Sequence, residues 1–500
     1  MPDNRTNNNH SLSKSLYVKG LQCHKSLWLH KNKPELKDKV SVTQQATFST
    51  GTDVGILAQQ LFPGGVLVPF EELSYEDQIS MTEEAIASGK RTIYEATFRF
   101  DGIFMKADIL HRGKRGWELY EVKSSTGVKD VYMDDLAIQY YVITGSGLKL
   151  NRSSLVHINN KYVRNGEIDV NELFAVADLT TDIMSMQKDV AANLKAMKKM
   201  LAGKMPDIDI GPHCSDPYEC AFSGHCWQHI PKHSVFDFAD IGKPDPFPLY
   251  QQGIILMKDV SREELGWRQK LQLDAMKMKK VIVEEEKVKT FLDDLWYPLC
   301  FLDFETTYMT PVPLFEGTSP NKQVPFQYSL HVVDKQGKKP RHFEFLAEPG
   351  KDPRKDFLNS LLENLPADGC IVAWNQNFEI SRLKELGAQF PRKQKKIAAL
   401  IEHFRDLMTP FKKKDIYHRD FDGSYSIKAV LPALIPDLSY KGMPVSNGEE
   451  ASIAWLSLWG ETDKRKVQET RQQLLDYCCL DTLAMVKILE VMRNLTTTRA

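Results

Sequence analysis

The stretch Tyr297–Thr307, "YPLCFLDFETT", decides the reading of this chain. It is an apolar run of strand length with two acids set into it. Side chains alternate faces along a strand, so Asp303 and Glu305 share one face. Two carboxylates placed together at a strand end are costly unless a cation neutralises them. The pattern predicts a strand that carries a divalent-cation site.

Two later segments offer partners for that pair. Residues 370–386, "CIVAWNQNFEISRLKEL", read as a buried strand followed by a helix start, with Asn375, Phe378 and Glu379 at the junction. Residues 462–492 have helical periodicity, and Tyr477 and Asp481 are four apart, which puts them on one helical face. Each piece alone is common by chance; their order and spacing together are not. Four carboxylates and a tyrosine suit two-metal phosphodiester hydrolysis, the tyrosine hydroxyl positioning the water. Asp406, in "HFRDLM", is a backup for Glu379.

A second acidic set lies upstream in residues 96–125, "ATFRFDGIFMKADILHRGKRGWELYEVKSS". It reads as strand, turn, strand, with the glycines of "RGKRG" suited to a hairpin. Glu121 and Lys123 are two apart and share a face, and the hairpin can bring Asp108 beside them. The carboxylates can hold a divalent cation, while the lysine orients or activates the attacking water. The helical pattern that follows supplies Gln139 and Tyr140.

A third constellation is "GPHCSDPYECAFSGHCW", residues 211–227, with Cys214, Cys220 and Cys226 at equal spacing. Cys23 is the one other cysteine before residue 300 and is the natural fourth ligand. Four cysteines suit an iron–sulfur cluster or zinc, and for zinc His24, His213 or His225 could replace one of them. Pro217 and Gly224 punctuate a compact loop with little apolar core of its own. Cys300, Cys370, Cys478 and Cys479 read as small buried hydrophobes.

These motifs carry resemblances. "EATFRFDGIFMKADIL", "EVKSS" and "AIQYY" resemble the PD-(D/E)XK signature of RecB-like nucleases. That likeness implies that Asp108 and Glu121 hold Mg²⁺ or Mn²⁺, that Lys123 is catalytic, that Gln139 supports the site and that Glu95 sits at its rim or adds a ligand. An early histidine common in such nucleases is missing from "GTDVGILAQQLF". "LDFET", "NQNFE" and "YCCLD" resemble the three motifs of the DEDD 3′–5′ exonucleases with a ribonuclease-H-like fold, in the tyrosine subclass. This implies a second Mg²⁺ or Mn²⁺ site at Asp303, Glu305, Glu379 and Asp481, with Tyr477 catalytic; Glu379 stands where the family usually has Asp. A lone early cysteine with a late trio resembles iron–sulfur RecB-like nucleases, which puts a [4Fe–4S] cluster ahead of Zn²⁺ at Cys23, Cys214, Cys220 and Cys226. The whole resembles the bacterial family labelled domain of unknown function 2779.

The expected architecture is α/β in two domains. Residues 1–240 form a restriction-endonuclease-like unit, 241–295 a helical connector and 296–500 a ribonuclease-H-like unit. The chain has 500 residues with 42% hydrophobic and 26% charged, ordinary for a globular protein. A net charge of −1 argues against a globally basic nucleic-acid coat but leaves room for a local basic groove. No apolar run long enough for a transmembrane helix and no secretory signal are visible, so a cytoplasmic location without a membrane partner is expected. "PFKKKD" and "YHRDFDGSYSIK" make His418, Tyr425 and Lys428 candidate substrate contacts. The expected activity is metal-dependent DNA hydrolysis, with RNA as a second substrate class. A nucleic-acid-binding or scaffold protein with inactive sites is the competing reading.

Overall fold

The structure is a computed structural model that describes residues 12–239, 245–278 and 281–497. The chain is mixed α/β and divides into two compact units. One comprises Met1–His229 with Met309–Lys322, the other Ile230–Tyr308 with Gln323–Ala500. The boundary expected at 240 lies outside the described residues. Residues 245–278 and 281–295, expected as a helical connector, fall within the second unit.

In the first unit the sheet is built from β1 (Leu12–Ser13), β2 (Val66–Leu67), β3 (Thr92–Phe100), β4 (Ile103–Arg112), β5 (Trp117–Lys123), β6 (Leu150–Ile158) and β7 (Phe174–Asp178). The order is β2-β3-β4-β5-β6-β7, with β1 joining β4. β3, β4 and β5 form an antiparallel meander; β5 and β6 pair in parallel through the crossover helix Asp130–Gly145. The β4–β5 turn closes where it was expected, with Gly113 N–H donating to the Gly116 carbonyl at 3.0 Å. Gly116 has φ +144°, a conformation that side chains resist.

Both faces of this sheet are covered. Leu119 and Leu155 bury on one side with Leu136, Ile138 and Val142 of the crossover helix. Tyr120, Val122 and Val156 bury on the other with Val54 and Ala58 of the helix Val42–Ala58. The period-two alternation along β5 and β6 divides the residues between the two cores.

The second unit holds β8 (Ile282–Val283), β9 (Leu299–Thr306), β10 (Pro325–Val333), β11 (Arg341–Leu346), β12 (Cys370–Ala373), β13 (Phe404–Asp406) and β14 (Ile416–Tyr417). Its five-stranded sheet runs β11-β10-β9-β12-β13. β9, β10 and β11 pair antiparallel, whereas β12 and β13 join in parallel. Cys300, Leu302 and Phe304 enter a core with Leu358, Leu361 and Leu383 from flanking helices. The long helix Lys464–Thr497 covers the other face, as its hydrogen bonds to Gln327, Ser329 and His331 of β10 show.

The sequence pattern over residues 261–295 predicts amphipathic helix. The structure breaks it into the helices Trp267–Lys277 and Glu285–Asp293, with β8 between them pairing antiparallel to β14. The β-branched run "VIV" explains the interruption, because such side chains pack better on a pleated surface than on a helix.

Candidate functional sites

In the first unit the strand registers align three acids. β3 pairs Tyr94 with Ile109 and Ala96 with Ala107, so Glu95 stands opposite Asp108. β4 pairs Ile109 with Tyr120, so one step on Asp108 stands opposite Glu121. Glu95 has φ +56°, a left-handed conformation costly for a residue with a Cβ. Asp108 Oδ2 accepts the Val122 N–H at 2.7 Å.

Glu121 is buried and heavily contacted. Its oxygens accept Lys123 Nζ at 2.7 Å and Gln139 Nε2 at 2.7 Å. They also accept Lys14 Nζ at 2.8 and 3.0 Å. Asp135 accepts Lys123 Nζ at 2.6 Å and lies 3.5 Å from Lys14 Nζ. The structure thus gathers Asp108, Glu121, Lys123, Gln139 and Glu95, and adds Lys14 and Asp135. Asp135 had a readable signal, since it precedes Gln139 by four residues on the same helical face. Lys14 had none, because it arrives from a helix more than a hundred residues upstream.

Burial and the neighbouring Glu121 push Asp108 up to about 8. Burial acts the same way on Glu121, but the Lys123 and Lys14 ammoniums outweigh it and hold its carboxyl well below the usual range. Burial raises Glu95 against the pull of Lys106 and Lys14. The set therefore pairs a fixed anion with a carboxyl that holds its proton at neutral pH, the separation that acid–base chemistry uses.

The four predicted cysteines line a single small cavity, together with His213 and Ser26. Hydrogen bonds tie this loop and the residues just before it to the N-terminal segment. Gln22 Nε2 donates to the carbonyls of His213 and Tyr218 at 2.7 and 2.6 Å. Lys25 Nζ donates to the Ile208 carbonyl at 2.9 Å, and Gly224 N–H donates to Asp38 Oδ2 at 3.0 Å. Burial raises the Cys23 and Cys226 thiols. The Tyr132 ring lies 5.4 Å from Lys123 Nζ.

In the second unit Asp303, Glu305, Glu379, Tyr477 and Asp481 all line one cavity of about 360 Å³, and Lys428 joins them. β9 supplies the first pair and the first turn of the helix Asn377–Gln389 supplies Glu379. Lys464–Thr497 supplies Tyr477 and Asp481 from one face. Burial, then the charge of Asp481, raises Asp303 well above the usual range. Burial and Asp303 do the same to Glu305 and Glu379. Burial moves Asp481 up to about 6, restrained by the Tyr440 hydroxyl, which donates to its Oδ1 at 2.6 Å. Glu379 Oε2 is buried with no hydrogen-bond partner. A buried carboxylate oxygen with no donor is a fit for a cation ligand.

Asp406 does not enter this cavity; it accepts the backbone N–H groups of Asn375 and Met408. His418 and Tyr425 do not line it either. His418 Nδ1 accepts the Asp420 N–H, and Tyr425 lies under Lys414. Sequence reasoning missed Tyr440, which stands in a loop before the helix Gly448–Ser457. Cys300, Cys370 and Cys478 are buried as expected, whereas Cys479 is partly exposed; the Cys478 thiol lies 3.7 Å from Asp303 Oδ2.

Among the described residues no helix is long and apolar enough to cross a membrane. Residues 300–426 match the model of a domain of unknown function, DUF2779. The match contains Asp303, Glu305 and Glu379 but stops before Tyr477 and Asp481. No curated protein matches the chain.

Proposed function

We propose that the protein is a metal-dependent nuclease with two active sites, acting on DNA with single-stranded regions or free ends. The observation that carries this reading is the convergence of Asp303, Glu305, Glu379 and Asp481 on one cavity, three of them held far above their ordinary titration range. Four carboxylates cannot stay ionised together without cations. Mg²⁺ or Mn²⁺ bound there would stabilise the attacking and leaving oxygens of a phosphodiester. Tyr477 is placed to hold the attacking water through its hydroxyl, which burial and the adjacent carboxylates keep protonated. Lys428 offers a cation to the phosphate backbone. Trp374, Phe378 and Tyr308 present aromatic surfaces in the cavity wall on which bases can stack.

The sheet order supports a ribonuclease-H-like fold for the second unit, with three antiparallel strands continued by two parallel ones. The meander, crossover helix and parallel β6 support the PD-(D/E)XK reading of the first. There Asp108 and Glu121 would hold Mg²⁺ or Mn²⁺, and Lys123 would orient the attacking water. The four thiols facing one cavity fit a [4Fe–4S] cluster, which would tie the ends of the unit together; Zn²⁺ is the alternative occupant. One observation favours an inactive first site: Lys14 and Lys123 both neutralise Glu121, so a cation must compete with two ammoniums.

The test is degradation of labelled DNA and RNA with Mg²⁺ or Mn²⁺ by wild type, Lys123→Ala, Asp303→Ala and the double variant. Loss of a distinct product class in each single variant assigns the sites. Equal degradation by the double variant and wild type refutes the proposal.

A further inference from the structure

A separate group of metal-ligating side chains stands on β10, β11 and the helix Lys464–Thr497. His331 of β10 lies directly opposite His342 of β11 in the antiparallel register. Their rings stack with centroids 4.4 Å apart. Cys479 comes down from the helix, and one ligand atom from each of the three residues lies within 4.8 Å of the others. Cross-strand pairs and a helix above them are a geometry in which three side chains can reach one ion.

The second nitrogen of each imidazole is already engaged. His331 Nδ1 bonds Thr482 Oγ1 at 2.8 Å, and His342 Nε2 bonds Ser329 Oγ at 2.9 Å. The two hydroxyls bond each other at 2.6 Å. Each ring therefore keeps one nitrogen for a cation while the other is fixed by a hydroxyl. Metal-binding histidines use such partners to set ring orientation and tautomer. Glu344 stays outside this set: its carboxylate lies 4.0 Å from His342 Nε2, the nitrogen that Ser329 engages. His331 is buried and His342 exposed, so the set opens to solvent at the edge of the sheet.

We propose that His331, His342 and Cys479 form a three-ligand binding site, with its remaining position open to solvent, for a borderline-soft divalent cation of the Zn²⁺ class. Two imidazoles and a thiolate suit Zn²⁺ and disfavour the hard, all-oxygen preference of Mg²⁺. The bound ion would tie β10 and the edge strand β11 to the helix that carries Tyr477 and Asp481, with Cys479 lying between those two in sequence. Its role is then to hold that helix in place over Asp303. Binding of the ion itself requires no nuclease activity, so it can be measured whether or not Asp303 is catalytic.

The test uses the full chain, equilibrated with Zn²⁺ and freed of unbound ion. His342→Ala and Cys479→Ser each lower the bound Zn²⁺ by one ion per chain relative to wild type. The four cysteines of the first unit are unaltered and supply a constant background. With Co²⁺ as the probe, Cys479→Ser loses part of the thiolate-to-cobalt absorption. His342 is exposed, so its truncation spares the core, and it is the deciding position. A His342→Ala protein with wild-type circular dichroism and an unchanged zinc count overturns the proposal.

Discussion

Asp481→Asn should stabilise the second unit when no divalent cation is present. An ordinary aspartate titrates at 3.8, and burial moves Asp481 up to about 6. Each tenfold displacement of the proton equilibrium is worth about 1.4 kcal/mol, so keeping Asp481 ionised in the fold costs ~3 kcal/mol. Asparagine removes that charge and keeps an oxygen for the Tyr440 hydroxyl. Its amide N–H gains no assured partner, which returns ~1 kcal/mol and leaves a gain of ~2 kcal/mol. For a unit of this size the gain corresponds to a rise in melting temperature of roughly 4–8 °C. The assay is thermal unfolding in chelator across pH. Because the folded carboxyl titrates above the unfolded one, its stabilising protonation is complete below about pH 4 and lost as pH rises through about 6. The advantage of the variant should therefore be full near about pH 8 and vanish toward about pH 4. Added Mg²⁺ should raise wild type more than the variant. A variant that melts at or below wild type at about pH 8 in chelator, or a difference independent of pH, refutes the argument.

Two further perturbations probe the first unit. Gly20→Ala should destabilise it by about 1–3 kcal/mol, because the added Cβ would meet Met197 Sδ at 2.7 Å and Leu27 at 2.8 Å; denaturant unfolding measures it. Cys23→Ser should lower the metal or iron–sulfur content and the melting temperature of the first unit while leaving any activity at Asp303 intact. Unchanged metal content would show that Cys23 is not a ligand.

Much of each site was legible because local geometry is periodic. Asp303 and Glu305 share a face by the two-residue period of a strand, and Tyr477 and Asp481 share one by the helical repeat. Both pairs were readable without knowing what lay opposite. Cys23 could be matched to the late trio because so few cysteines compete for that place. Lys14, Tyr440 and the His331–His342–Cys479 group were not legible. Each depends on a distance set by packing between segments far apart in sequence. Sequence reasoning took Glu379 with Asp406 as its backup, but nothing local separates the two, since both are acids near strand ends. The structure gives Glu379 the cavity and gives Asp406 to backbone N–H groups.

The sequence by itself determined which residues share a face, because strand and helix periods are properties of the backbone. It also set Asp303 and Glu305 on one strand face, an arrangement costly to bury in ionised form without a cation. Tertiary structure alone decided which sets meet. It placed two lysines on Glu121, left Glu379 Oε2 without a donor and kept His418 and Tyr425 out of the cavity. Those outcomes follow from the registers of β3, β4, β5 and β10 and from how the flanking helices pack, and such long-range contacts have no local signature in the chain.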